Sequence, residues 1–290
     1  MRCIVFPERM LKPWMIPGDL APGDRKCLER DWSDVELSRV ESADDPGFDI
    51  AFGALWAEFG AKGEIEQAAV LSRRLRWHGQ LQENGYGLRY RLMLVTSGGK
   101  FVAVRDHTAI VPKDEDAAYV HLSHNLVSPE WRRTGIAGWL RALPVQTARH
   151  GLAALNKPES SPITLIAEME YPDPTVEATA IRLGAYEKAG YLKVDPDRIS
   201  YLQPDFGSPD QIDFAGGPRP LPLTLMVRRV GRESERQITG REVKSIVTAL
   251  YKMYEGTFRA RDMAEVWKTL DSYPGDDEII DLVSPTRGIS

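Results

Sequence analysis

One stretch constrains this chain more than any other. Residues 118–127, Ala-Tyr-Val-His-Leu-Ser-His-Asn-Leu-Val, read as a β-strand, and Ile136 to about His150 reads as a helix. Between them lies Ser128-Pro-Glu-Trp-Arg-Arg-Thr-Gly135, a turn, with a second glycine at Gly138. A strand fed through such a turn into a helix N-terminus aims backbone N–H groups into one concavity, and the helix adds partial positive charge. Gly135 removes the Cβ that would hold a ligand off the backbone. Arg132 and Arg133 add mobile countercharge. The junction suits a pyrophosphate, although glycine between a strand and a helix also serves plain packing.

The rest of the chain reads as a mixed α/β run. Helical spacing of apolar residues marks Ile50–Phe59 and Glu64–Trp77, the latter with a face of Ile65, Ala68, Ala69, Leu71, Leu75 and Trp77. Leu88, Tyr90, Leu92 and Leu94 alternate in a strand over 88–96, and Ser97-Gly-Gly99 turns it into a second strand over 101–111. Further strands are expected over 163–170, 191–202 and 221–229, with a helix from about Pro174 ending near Gly190. Pro144 should kink the helix that follows the glycine turn. Residues 1–45 carry prolines and charges, with one short strand expected at Cys3–Phe6. After residue 231, Thr239-Gly-Arg-Glu242 opens a helix with the stripe Val243, Ile246, Val247, Leu250. Met263, Val266, Trp267 and Leu270 mark a second. This gives an N-terminal extension (1–45), an α/β domain (46–230) and a C-terminal helical extension (231–290). That extension should pack on the core or on a second subunit without carrying catalytic groups.

Two motifs narrow the reading. Arg132-x-x-Gly135-x-Ala137, preceded by Val127-x-Pro129, resembles the acyl-CoA pyrophosphate loop of the GNAT N-acetyltransferase superfamily. It lacks the Gly-Lys-Ser/Thr ending of nucleotide hydrolases and the Gly-x-Gly-x-x-Gly of dinucleotide folds. About fifty residues on, Tyr186-Glu-Lys-Ala-Gly-Tyr191 resembles the same family's second signature. The resemblance spans roughly residues 50–205. It implies a mixed, mostly antiparallel twisted sheet flanked by helices. The implied activity is transfer of an acyl group, most simply acetyl from acetyl-CoA, to an amine by direct attack in a ternary complex. It further implies that Leu126 and Val127 offer main-chain groups to the pantetheine arm. Arg132, Arg133, Thr134, Gly135, Ile136 and Ala137 would then hold the pyrophosphate.

Such a transfer needs an acid and a base. Tyr186 is the candidate acid, since a phenol of pKa about 10 can protonate a departing thiolate of pKa about 8.5. Its plain alternative is a helix-face aromatic packed on the sheet. Glu168 and Glu170 lie two apart on a strand, share a face and are candidates for the base, with Glu168 preferred for its depth. His121 and His124 lie on the strand before the loop; three apart, they should face opposite ways. His124, nearer the loop, is the candidate of the two. Residues 77–87, 171–175 and 203–217 are expected to border the acceptor pocket.

Composition limits the partners. A 42% hydrophobic, 27% charged chain of 290 residues is that of a globular protein. No apolar run is long enough to span a bilayer. The net charge of −5 argues against a nucleic-acid groove. Five scattered histidines and two cysteines show no metal-ligand spacing. A start without a secretory leader and only Cys3 and Cys27 fit a cytoplasmic protein. The acceptor is expected to be a small-molecule amine or a protein amino group, and a homodimer is compatible with the apolar tail. Two competing readings share the scaffold: a longer-chain acyl or aminoacyl transferase, and a non-catalytic acyl-CoA-binding module.

Overall fold

Two glycines start the sheet. In the computed structural model, which describes residues 11–171 and 176–288, Gly98 and Gly99 both take positive φ (+54° and +75°). That is the backbone a two-residue hairpin needs. It joins β3 (Tyr86–Ser97) to β4 (Lys100–Pro112), the longest strands of the fold. Around them an 11-stranded sheet builds out. On one side β1 (Val35–Val40) pairs with β3, and β2 (His78–Leu81) pairs with it further along. Helices α1 (Pro46–Phe59) and α2 (Ala68–Arg74) lie between β1 and β2 in the chain.

On the other side comes β5 (Ala118–Val127), antiparallel to β4, then α3 (Ile136–Ala154) and β6 (Ile163–Met169). β6 lies parallel to β5, the one parallel pairing among the described residues. Next in the chain follow α4 (Glu177–Lys188), β7 (Leu192–Val194), β8 (Tyr201–Gln203), α5 (Pro209–Phe214) and β9 (Leu221–Arg229). β9 takes the place beside β6, with β7 outside it. The expected strand over 191–202 is thus two short ones. Asp195-Pro-Asp197 breaks it, because the Asp195 carboxylate accepts the Asp197 N–H (3.2 Å) and its carbonyl accepts those of Arg198 and Ile199. Helix α3 runs unbroken through Pro144. The strand expected at Cys3–Phe6 lies outside the described residues.

The tail belongs to the same sheet. After β10 (Gln237–Thr239), α6 (Gly240–Glu255) and α7 (Ala260–Lys268), the chain returns as β11 (Ile279–Val283). β11 pairs with both β7 and β10. The Thr239 hydroxyl caps α6 by accepting the Glu242 N–H at 3.2 Å. Val243, Ile246, Val247 and Leu250 are each 0% exposed. They share one core with Phe48, Ala51 and Leu55 of α1 and with one face of the sheet. The other face is covered by α3 and α4, and by an N-terminal segment that brings Met15, Leu20, Cys27 and Trp32 against the start of α3. No described helix is long and apolar enough to cross a membrane.

Candidate active site

The site begins where two strands part. β5 and β6 are paired from Ala118–Ile163 to His121–Ile166, and no further. β5 continues to Val127 with its outer edge facing no strand among the described residues, while its inner edge stays on β4. His121 closes the last pair. Glu168, two residues beyond Ile166, meets it across the fork, with His121 Nε2 2.9 Å from Glu168 Oε2. Both side chains are only 4% exposed.

Glu168 gathers four donors. Tyr254 of α6 donates at 2.8 Å and Gln203 of β8 at 2.6 Å, both to Oε2, and Tyr201 donates to Oε1. Burial alone would raise the Glu168 pKa, but His121 and the two tyrosine hydroxyls outweigh it and hold it below the usual range. On the far side of the imidazole, His121 Nδ1 lies 3.2 Å from the hydroxyl of half-buried Ser123. Nε2 thus faces the carboxylate and Nδ1 the Ser123 hydroxyl. Neither Tyr201 nor Tyr254 stood out in the sequence. An aromatic on an amphipathic helix reads as core, and its polar tip gives no periodic signal. Tyr254 shows that the tail, besides packing on the core, reaches Glu168 with a hydrogen bond.

The two histidines face the same way. Opposite β4, the register steps from Thr108–His121 to Asp106–His124, so Leu122 and Ser123 together oppose one residue. This β-bulge shifts the alternation by one. His124 is consequently buried against Phe59 rather than turned to the other face. Its Nδ1–H and backbone N–H both go to Asp106 (2.9 and 2.8 Å), and its Nε2–H goes to the Glu64 carbonyl (3.0 Å). Tyr90 also donates to Asp106. Both ring nitrogens are therefore donors, which describes an imidazolium. Burial lowers the His124 pKa, but Asp106 and the carbonyl overcome it and bring it to about 9. Burial raises that of Asp106, and His124 and Tyr90 overcome it, to about 2. Both ring nitrogens of His124 are thus committed to acceptors, whereas His121 turns one ring nitrogen to the Ser123 hydroxyl.

The pair predicts a pH dependence. A histidine pKa raised above its ordinary value of about 6.5 stabilises fully below that value and is lost as pH rises through about 9. A depressed carboxylate contributes above about pH 4 and is lost as pH falls through about 2. His124→Gln should cost about 3–5 kcal/mol at pH 6.5, because it strands a buried carboxylate. The gap to the parent should narrow by pH 9.5. Denaturant melts at the two pH values check this, and a pH-independent gap would show that His124 is neutral.

Glu170 leaves the site: it accepts from Thr179 at 3.2 Å and pairs with Arg182 of α4. Tyr186 is half-buried on the α3–α4 side, with its ring edge-on to Tyr191 at 4.9 Å. It thus lies on the opposite face of the sheet from Glu168. Of the expected pocket borders, Gln203 reaches Glu168, and Pro172–Thr175 lie outside the described residues. From the rest of 203–217, Phe206 packs on Tyr254 and Phe258, and Asp213, Gly216 and Gly217 line a surface cleft of about 500 Å³ together with Pro218, Arg261 and Asp262. None of these touches Glu168.

The loop enters α3 through two left-handed residues. Arg133 and Gly135 have φ of +65° and +100°. The Thr134 hydroxyl takes the Ile136 N–H at 3.4 Å. The N–H groups of Arg133, Gly135 and Ala137 find no partner among the described residues. Arg132 Nε donates to the Val127 carbonyl at 3.3 Å, and Leu126 and Val127 pair with β4. What comes close to Gly135, however, is the chain's own Cys27: a Cβ built there would stand 3.1 Å from that of Cys27.

No family model matches the chain, and no curated protein sequence does. Among solved structures it is similar to an aminoglycoside acetyltransferase from an uncultured soil metagenomic sample, with 15% identity and a TM-score of 0.35. That match covers 54% of this chain and 87% of the other. An acetyltransferase from Streptococcus agalactiae matches with 13% identity and a TM-score of 0.37, covering 68% of this chain and 99% of its own. The Salmonella typhimurium protein yncA, solved with its cofactor acetyl-CoA, matches with 15% identity and a TM-score of 0.33, covering 68% and 95%. Likeness at this level fixes no activity and no residue's role.

Proposed function

We propose that the chain is a GNAT-like acyltransferase that moves an acyl group from acyl-CoA, acetyl-CoA in the simplest case, to an amine. One observation carries the reading. The parallel strands part directly above the His121–Glu168 pair, and the strand that leaves the pair ends in the glycine loop and the N-terminus of α3. A thioester arm laid along the free edge of β5 would place its phosphates on the loop and its carbonyl at the fork. The main-chain groups of Leu126 and Val127 would flank the arm. The N–H groups of residues 133–137, with Arg132, would take the pyrophosphate.

The chemistry then needs only positioning and two proton transfers. The amine nitrogen attacks the thioester carbon, the C–N bond forms and the C–S bond breaks. The proton lost by the nitrogen passes through Ser123 to His121 Nδ1, with Glu168 holding the imidazole in the required tautomer. The departing thiolate takes a proton from Tyr186, on the α4 side. Base and acid thus act from opposite faces of the fork, which keeps entry of the amine apart from exit of the thiol.

Calorimetric titration with acetyl-CoA, followed by turnover on a panel of small-molecule amines and peptides, tests the reading. Tyr186→Phe should lower turnover by about 10²–10⁴ with little change in acetyl-CoA affinity or melting temperature. Unchanged turnover would return Tyr186 to a packing role. The burial of His121 and Glu168 favours a second reading, a binding module without turnover. Acetyl-CoA bound with no product from any amine would select it.

A further inference from the structure

The N-terminal segment does more than cover α3. Residues 17–32 run between α3 and α4 as two short 3-10 helices, Pro17–Asp19 and Pro22–Glu29, followed by Trp32. Three glycines permit the fit. A Cβ on Gly23 would stand 1.9 Å from the Lys188 carbonyl at the end of α4. One on Gly138 would stand 3.1 Å from the Asp24 Cβ, and one on Gly135 equally close to Cys27. The segment therefore lies on the first turn of α3, where the loop presents its N–H groups.

Two carboxylates fasten it. Asp24 grips Arg141 of α3 through both oxygens, with Nε–Oδ2 at 2.9 Å and Nη2–Oδ1 at 2.5 Å. Asp19 is buried, and its carboxylate lies 2.7 Å from Arg149 Nη2 without hydrogen-bond geometry at either oxygen. A buried carboxylate held by so little is costly to keep. An arginine that grips a carboxylate with both arms grips a phosphate in the same way. Asp24 thus places an anion beside Gly138, in the first turn of the helix that offers the cradle.

We propose that residues 17–32 are a latched strap, and that Arg141 is a phosphate ligand of the co-substrate which Asp24 holds until the strap lifts. This rests on the acyl-CoA reading for the identity of the ligand, and on the chain's own contacts for the latch. A strap open one-tenth of the time weakens apparent affinity about tenfold, so the latch sets the co-substrate concentration at which the protein loads. Cys27 reports its position. The thiol is 2% exposed, and burial, aided by Asp24, pushes it up to about 12. It reacts with thiol reagents only when the strap opens.

The test uses the full chain carrying Cys3→Ser, so that Cys27 alone is labelled. Asp24→Asn and Arg141→Gln are compared with this parent for Cys27 labelling rate and for calorimetric binding of coenzyme A and of inorganic pyrophosphate. Both variants break the latch, so both should label faster, about tenfold or more. Their effects on coenzyme A should differ: Asp24→Asn tightens it about tenfold, and Arg141→Gln, equally open but without the arginine, binds it less tightly than Asp24→Asn does. In the parent, saturating acetyl-CoA, which has no free thiol to consume the reagent, should itself speed the labelling. Labelling at the parent rate in both variants overturns the latch. An Asp24→Asn affinity no tighter than the parent's, an Arg141→Gln affinity equal to that of Asp24→Asn, or acetyl-CoA that binds while protecting Cys27, overturns the competition. Pyrophosphate following the expected pattern while coenzyme A binds no chain would uphold the strap and its arginine and sink the acyl-CoA reading.

Discussion

A chain ended at residue 237 will not fold to a soluble monomer. It loses α6, whose Val243, Ile246, Val247 and Leu250 are wholly buried against α1 and the sheet. Burial of each such side chain is worth about 1.5–3 kcal/mol, so the four together contribute roughly 6–12 kcal/mol. That matches the whole net stability of an ordinary domain, about 5–15 kcal/mol. The cut also removes β11, which leaves the three-residue β7 paired only with β9. The exposed sheet face and the opened strand edge are both routes to aggregation. Light scattering and circular dichroism after expression check the outcome. A truncated chain that stays monomeric and melts within a few degrees of the parent would make residues after 237 a detachable arm.

That dependence shows where sequence patterning succeeded and where it failed. Turns announced by Gly98–Gly99, and a strand as regular as that of Leu88, Tyr90, Leu92 and Leu94, were legible because glycine and strict alternation act locally. The helices of the tail were legible from their stripes. β11 was not, although Ile280 and Leu282 are buried and Ile279 and Asp281 exposed in the alternation of a strand. Five residues beside Gly-Asp-Asp read as loop, and only pairing with β10 and β7 gives them a reason to be extended. The site was half legible. Glu168 stood out as a carboxylate inside an apolar strand, and the loop by its glycine. The bulge at Leu122–Ser123 has no local marker such as glycine, so His121 was set aside on a rule of alternation that the bulge breaks. Tyr254 comes to Glu168 from 86 residues away, a tertiary fact that no window of sequence contains.

Glu168→Gln should be the most damaging conservative change in the protein. The substitution keeps volume, and most partners can adapt to it. Tyr201 can still donate to the remaining carbonyl oxygen. The Tyr254 hydroxyl can turn to accept from the amide, and the Gln203 amide can flip. His121 adapts only by changing tautomer. Facing an NH₂ instead of a carboxylate oxygen, Nε2 must give up its proton and accept. The proton then sits on Nδ1 and is donated to Ser123. The lone pair that was to take the substrate's proton is gone. Where a carboxylate holds a catalytic histidine in its tautomer, the same exchange of acid for amide lowers turnover by about 10⁴. In the proposed mechanism Glu168 acts through His121 and not on the substrate, so the expected loss in kcat is about 10²–10⁴. Acyl-CoA affinity should be unaltered, since the loop is untouched. Melting temperature should fall as well, because the new amide has two N–H groups for the three partners that shared Oε2, and the Tyr254 hydroxyl and Gln203 amide lose their carboxylate acceptor. The imidazole nitrogen shifts of His121 in a ¹⁵N-histidine spectrum should exchange their tautomer pattern, a readout that simple loss of packing would not give. If kcat stays within a factor of about three while that exchange is seen, His121 is not the base.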